Sequence, residues 1–138
     1  MLKLFPDIRS FIEAHAREIY PHECCGLLVG KIENGVRVAH EVQRAGNLNT
    51  ERAHDRFLLD PKDFMRIDRE AQKRGFDIVG IYHTHPDHPA RPSQTDLEAA
   101  FEGYSYIIVS VQKGEPKDFN SFELVNGAFK PEEIADCR

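Results

Sequence analysis

No run of about 18 apolar residues occurs anywhere in the sequence, so no segment of it suits a membrane-spanning helix. The opening apolar stretch is short and is broken by Pro6 and Asp7, so no secretory leader is expected. Cysteine is scarce. The three present are Cys24, Cys25 and Cys137, two of them neighbours, which excludes a disulfide framework and points to a reducing cytoplasm. An excess of positive charge is also missing: the formal net charge is -5 and the isoelectric point near 5.8. That balance argues against a protein held on nucleic acid by its general field. There is no internal repeat, no low-complexity tract and no linker-like shift in composition.

What remains is globular composition, with 41% hydrophobic and 30% charged residues. The 138 residues suit one domain spanning 1–138, large enough to form a core without covalent staples. From about Asp7 to Tyr20, Ile8, Phe11, Ile12, His15 and Ile19 fall at helical spacing, and Pro21 closes the helix. Cys25 to Ile32 is a short apolar strand. Glu33-Asn34-Gly35 then reads as a hairpin turn into a second strand, Val36 to Val42. Arg44 to Arg56 is polar and aperiodic, a loop facing substrate, and Phe57 to Leu59 read as a brief strand. Asp60 and Pro61 open a second helix that stops at Gly75. The charged run from Arg66 to Glu70 is its solvated face. A strand from Asp77 to His85, a proline-rich loop, a short helix from Ser93 to Glu102, and strands at Tyr104–Val111 and Asn120–Val125 complete the chain. The order predicts a mixed α/β (α+β) fold, one sheet flanked by helices.

Chemistry concentrates in His83-Thr84-His85-Pro86 and Ser93-Gln94-Thr95-Asp96. Residues two apart on a strand share a face, so His83 and His85 can present two imidazoles to one ion. Zinc accepts histidine nitrogen and carboxylate oxygen, and Asp96, one loop further on, is the natural third ligand. Three protein ligands leave a position open, which suits catalysis better than a closed structural site. Each part has a plainer reading as well. A His-x-His pair is common, and Ser93-x-x-Asp96 is a helix-start pattern in its own right.

Together with Glu23 upstream, the arrangement resembles the signature of the JAMM (MPN+) zinc metalloproteases: a glutamate, His-Ser/Thr-His, seven residues, and Ser-x-x-Asp. Here these are Glu23, His83-Thr84-His85, Pro86 to Pro92, and Ser93 to Asp96, with no position missing. Pro21 to Gly30 is similar to that family's first strand, with the glutamate at its entrance. The compact form most resembles the bacterial and archaeal branch that trims ubiquitin-like sulfur-carrier proteins. The resemblance implies a curved central β-sheet flanked by helices, of MPN/JAMM type and cytidine-deaminase-like. It implies one zinc per chain on His83, His85 and Asp96. It implies Glu23 as general base, taking a proton from the attacking water and returning it to the leaving amine, and Ser93 as hydrogen-bond donor to the oxyanion. The implied reaction is hydrolysis of a peptide or isopeptide bond after the C-terminal Gly-Gly of a ubiquitin-like or sulfur-carrier protein. The alternatives are a non-catalytic MPN-type binding scaffold and a zinc hydrolase of a small amide.

Two other zinc chemistries fail on the residues. His22-Glu23 begins like a zincin helix, but position 26 is glycine. The His-x-Glu and Pro-Cys-x-x-Cys of deaminases are absent. Adjacent cysteines alternate faces on a strand, so one of Cys24 and Cys25 is expected in the core and the other near the site mouth, with packing the favoured role. Cys137 is expected to be exposed. His88, in the loop between the candidate ligands, could touch substrate but is expected as a solvated loop residue, and His15, His22, His40 and His54 have no metal-ligand spacing.

Overall fold

The computed structural model describes residues 1–54 and 56–137. Strand β1 (Leu2–Leu4) precedes helix α1 (Ile8–Ile19), followed by β2 (Cys25–Glu33) and β3 (Val36–Ala45). Then come α2 (Pro61–Lys73), β4 (Asp77–Pro86), α3 (Gln94–Ala99), β5 (Ser105–Gln112), β6 (Glu115–Val125), β7 (Ala128–Glu132) and β8 (Ile134–Asp136). All eight strands form one sheet in the order β7-β6-β5-β4-β2-β3-β1-β8. The two outermost strands, β7 and β8, are consecutive in the chain with only Glu133 between them. The sheet therefore curls until its edges nearly meet, and β8 is held by the parallel β1, whose Leu2 N–H donates to the Glu133 carbonyl at 2.9 Å. A curled sheet leaves little free edge for unwanted pairing. The expected mixed α+β architecture with a curved sheet is the one observed.

Alternation along the strands sorts the core into faces. On β2, Leu28 packs toward α1 with Ile12, Ala16, Tyr82, Ile107 and Val109. Leu27 and Val29 point the other way, to Ile67 and Ala71 of α2. Such period-2 splitting is what a sheet covered on both faces requires. The local signals behave as their chemistry predicts. Asn34 and Gly35 both take positive φ, 53° and 77°, as a two-residue type I′ hairpin demands. The Asp60 carboxylate accepts from Lys62 N–H at 2.9 Å with Pro61 in the first turn. Gly75, at φ 76°, follows the end of α2 in the left-handed conformation.

Several expectations need correction. Strands β1, β7 and β8 went unread, because three-residue and half-exposed strands carry almost no alternation signal. Phe57 to Leu59 form no strand; only a single bridge joins Asn47 and Leu59. Backbone bonds flank that bridge, from Leu48 N–H to the Leu58 carbonyl and from Asp60 N–H to the Gly46 carbonyl. The Asn47 side chain adds to them, its Oδ1 accepting from Asn49 N–H and Leu58 N–H at 3.0 and 2.9 Å. Helix α3 ends at Ala99 and not at Glu102, because Ala100 leaves helical geometry and Phe101 N–H turns to the Tyr106 hydroxyl at 2.7 Å. In the run Arg66 to Glu70, Ile67 is fully buried beneath its charged neighbours.

Candidate metal centre and cleft

The β2–β4 register sets Cys25 opposite His83, and the backbone just before β2 is held to β4 on both sides. Cys24 N–H donates to Thr84 Oγ1 at 3.0 Å, and Thr84 N–H donates to the Cys24 carbonyl at 3.1 Å. Thr84 is thus spent on the strand pairing, while His83 and His85 turn to the opposite face. Their Nε2 atoms stand 3.0 Å apart. Both histidines are buried.

Asp96 reaches the same point from the first turn of α3. Its Oδ1 lies 3.2 Å from His83 Nε2 and its Oδ2 lies 3.2 Å from His85 Nε2. The helix start is a capping box: Ser93 Oγ accepts from Asp96 N–H at 3.1 Å, and Ser93 N–H donates to Asp96 Oδ2 at 2.9 Å. The capping and ligand readings of Ser93-x-x-Asp96 are therefore compatible. The cap orients the carboxylate and leaves the Ser93 hydroxyl proton free to be donated.

Glu23, buried just before β2, brings a carboxylate oxygen within 4.8 Å of both histidine nitrogens, and these three side chains form a cluster able to hold a metal ion. Glu23 N–H is tied to the Ala53 carbonyl, and Asn47 Nδ2 donates to the Glu23 carbonyl at 3.2 Å. Asn47 was missed in the sequence, where it reads as an ordinary loop asparagine.

The donors suit a tetrahedral cation. Ligand atoms about 2.0–2.1 Å from one ion stand about 3.3–3.4 Å apart. The His83, His85 and Asp96 atoms stand 3.0 to 3.2 Å apart. Their protonation also fits. Burial disfavours the ionised form of Asp96, but hydrogen bonds from His83 and His85 outweigh it and hold the carboxyl well below its usual range. Burial pushes the His83 pKa down against the pull of Asp96, which favours the neutral imidazole. His85 Nδ1 lies 2.8 Å from the Pro89 carbonyl, which can only accept. A neutral His85 would therefore keep its proton on Nδ1 and turn the Nε2 lone pair to the site. Without an ion, burial disfavours its charged form, but Asp96 and the Pro89 carbonyl outweigh that and raise its pKa. A bound cation would take the place of the Nε2 proton that Asp96 accepts.

The centre opens into a cleft of about 1050 Å³. Apolar side chains dominate one wall, with Phe57 stacked on His83 at 4.4 Å between ring centroids. Glu23, Ser93 and Asp96 all line it, and so does His88, which is exposed as expected. Leu58, Met65 and Phe101, at its rim, are more than half exposed. The cysteines depart from expectation. Cys24 and Cys25 are both buried, neither stands at the cleft mouth, and burial pushes both thiols up to about 12. Cys24 Sγ accepts from Thr84 Oγ1, and Cys25 Sγ faces the carbonyls of Ala45 and Gly46. Inert packing is their role. Cys137 is only partly exposed, with its N–H bonded to the Leu4 carbonyl.

Of the remaining histidines, His15 bonds Tyr82 in the core and His40 stacks on Phe76 with Phe5 tilted against it. None of the described helices is long and apolar enough to cross a membrane.

A curled sheet that delivers two histidines and two carboxylates into an open cleft is the framework of a metal-dependent hydrolase. Residues 6–125 match the Prok-JAB family, prokaryotic homologs of the JAB domain, and the chain belongs to it. It is 38% identical over 117 residues to a desampylase of Haloferax volcanii, covering 79% of this chain and 80% of that one. It is 30% identical over 135 residues to the CysO-cysteine peptidase of Mycobacterium tuberculosis, covering 97% and 90%. A solution structure of the Desulfitobacterium hafniense protein DSY2949 superposes with a TM-score of 0.87 at 31% identity, covering 99% and 93%.

Proposed function

We propose that the chain, read as one domain over 1–138, is a zinc-dependent peptidase that cuts after the C-terminal Gly-Gly of a ubiquitin-like or sulfur-carrier protein. The observation that carries this reading is the meeting of His83 Nε2, His85 Nε2 and Asp96 within 3.2 Å, with Glu23 beside them, in an open cleft. The names of the relatives, desampylase and CysO-cysteine peptidase, support the choice of substrate class.

His83, His85 and Asp96 would hold the zinc. When bound, it supplies Lewis acidity, acidifying water and polarising the scissile carbonyl. Glu23 is the general base: its carboxylate accepts the proton of the attacking water and passes it to the leaving nitrogen. Its burial beside the histidines keeps that proton transfer away from bulk solvent. Ser93 donates its free hydroxyl proton to the carbonyl oxygen as negative charge builds there, an interaction that strengthens only toward the transition state. Asp96 is assigned as ligand because its two oxygens lie 3.2 Å from the two imidazole nitrogens, and Glu23 is assigned as base because the family pattern implies it. Glycine suits the scissile position because a backbone without side chains can pass close beside a recessed centre.

The test is mass spectrometry of ubiquitin-like fusions ending in Gly-Gly plus further residues, incubated with the zinc-loaded protein. Cleavage after the second glycine is expected, with Ala-Ala in place of Gly-Gly cut far more slowly. No zinc uptake and no cleavage would leave a binding scaffold. Equal cleavage of short amides lacking Gly-Gly would leave a small-amide hydrolase.

A further inference from the structure

The loop from Asp87 to Pro92 runs between His85 and Asp96, two of the three proposed ligands, yet has neither helix nor strand of its own. What fixes it is a series of hydrogen bonds to consecutive backbone carbonyls. The His88 carbonyl accepts from Ser110 Oγ at 2.6 Å. The Pro89 carbonyl accepts from His85 Nδ1 at 2.8 Å and from Arg91 N–H at 2.9 Å. The Ala90 carbonyl accepts from Asn120 Nδ2 at 3.0 Å. The loop entrance is pinned as well: Asp87 accepts from the Tyr20 hydroxyl at 2.7 Å and from Lys113 N–H at 3.0 Å.

The middle bond of the three is chemically special, because it decides which nitrogen of His85 carries the proton. Ser110 stands in register with His85 on the neighbouring parallel strand and is fully buried. Its hydroxyl holds the carbonyl immediately before that of Pro89, and Asn120 holds the one immediately after. Ala90 sits in a small core with Ile108, Phe122 and Phe129, which keeps the same turn from sliding.

We infer that Ser110 and Asn120 are positioning residues for the metal centre: they clamp the loop on both sides of Pro89, so that its carbonyl fixes the ring angle and tautomer of His85. Neither touches the substrate or the ion. Loss of either clamp lets the Pro89 carbonyl drift, and His85 then spends part of its time with the wrong nitrogen protonated or the ring rotated. Outer partners of metal-bound histidines typically contribute about 10–100-fold in metal affinity. Acting one step further out, each clamp is expected to contribute about 10-fold.

This inference rests on the zinc reading above, and the experiment separates the two. Zinc affinity is measured by chelator competition on the wild type, Ser110→Ala, Asn120→Ala and Ser121→Ala, with the unfolding midpoint of each metal-free protein alongside. Ser121 is an equally buried serine whose hydroxyl goes to Glu132 at 2.7 Å, away from the loop. The expected result is about 10-fold weaker zinc binding in Ser110→Ala and Asn120→Ala, and wild-type affinity in Ser121→Ala whatever its midpoint. Cobalt-loaded Ser110→Ala should also show a changed ligand-field spectrum. Asn120 is solvent-facing, so Asn120→Ala carries the test even where Ser110→Ala fails to fold. Unchanged zinc affinity in the clamp variants overturns the inference alone. A wild type that takes up no zinc overturns the reading beneath it.

Discussion

Cys25 lies directly opposite His83 across the antiparallel β2–β4 pair, and this one register brings Glu23 to the imidazoles. A slip of one residue would turn Thr84 into the cleft and bury both histidines in the wrong face. The paired bonds between Cys24 and Thr84 guard against that slip.

Replacing a proposed ligand should remove the metal and leave the fold. His83→Ala or His85→Ala is expected to weaken zinc binding by more than about 100-fold, since loss of an outer partner alone costs 10–100-fold. Metal content after dialysis against a chelator checks this, and full occupancy in the double variant would sink the assignment.

Glu23→Gln should separate binding from chemistry. The amide cannot accept a proton, so turnover should fall about 10²–10⁴-fold while zinc content and melting temperature stay near wild type. Zinc lost along with activity would make Glu23 a ligand instead.

Burial, helped by the nearby positive charge of Arg44, lowers the pKa of His15 from 6.5 to about 4. Between those values the unfolded chain is protonated at His15 and the folded chain is not, so the unfolded state binds the extra proton. Stability should therefore rise with pH across about 4 to 6.5 and be indifferent to this group above it. The full penalty below pH 4 is about 3 kcal/mol. Urea unfolding of wild type and His15→Gln at pH 7 and pH 5 measures it; equal slopes in both proteins would refute the assignment.

Tyr82, fully buried, shares a 2.7 Å hydrogen bond with His15 and lays its ring against the backbone of Gly26. A Cβ at position 26 would drive into that ring. Gly26→Ala should cost about 1–3 kcal/mol in denaturant unfolding, by overpacking between β2 and β4.

The candidate site was partly legible in the sequence because its geometry is partly local. His83 and His85 share a face by strand period alone, and Ser93-x-x-Asp96 is a helix start by capping alone. The same holds for the Asn34-Gly35 turn and the Asp60-Pro61 helix start, each set by its own backbone preference. The final strands were silent, because β7 and β8 exist only by pairing with distant partners at the closure of the sheet. Asn47, Ser110 and Asn120 were silent for a related reason. A polar side chain that binds a remote carbonyl carries no periodicity and no motif. The burial of both cysteines depended on Cys24 being drawn under Thr84 before β2 begins. Short-range geometry thus determined which residues could bear the chemistry. Only the long-range strand register and the anchored loop decided how Glu23, His83, His85 and Asp96 come to face one point.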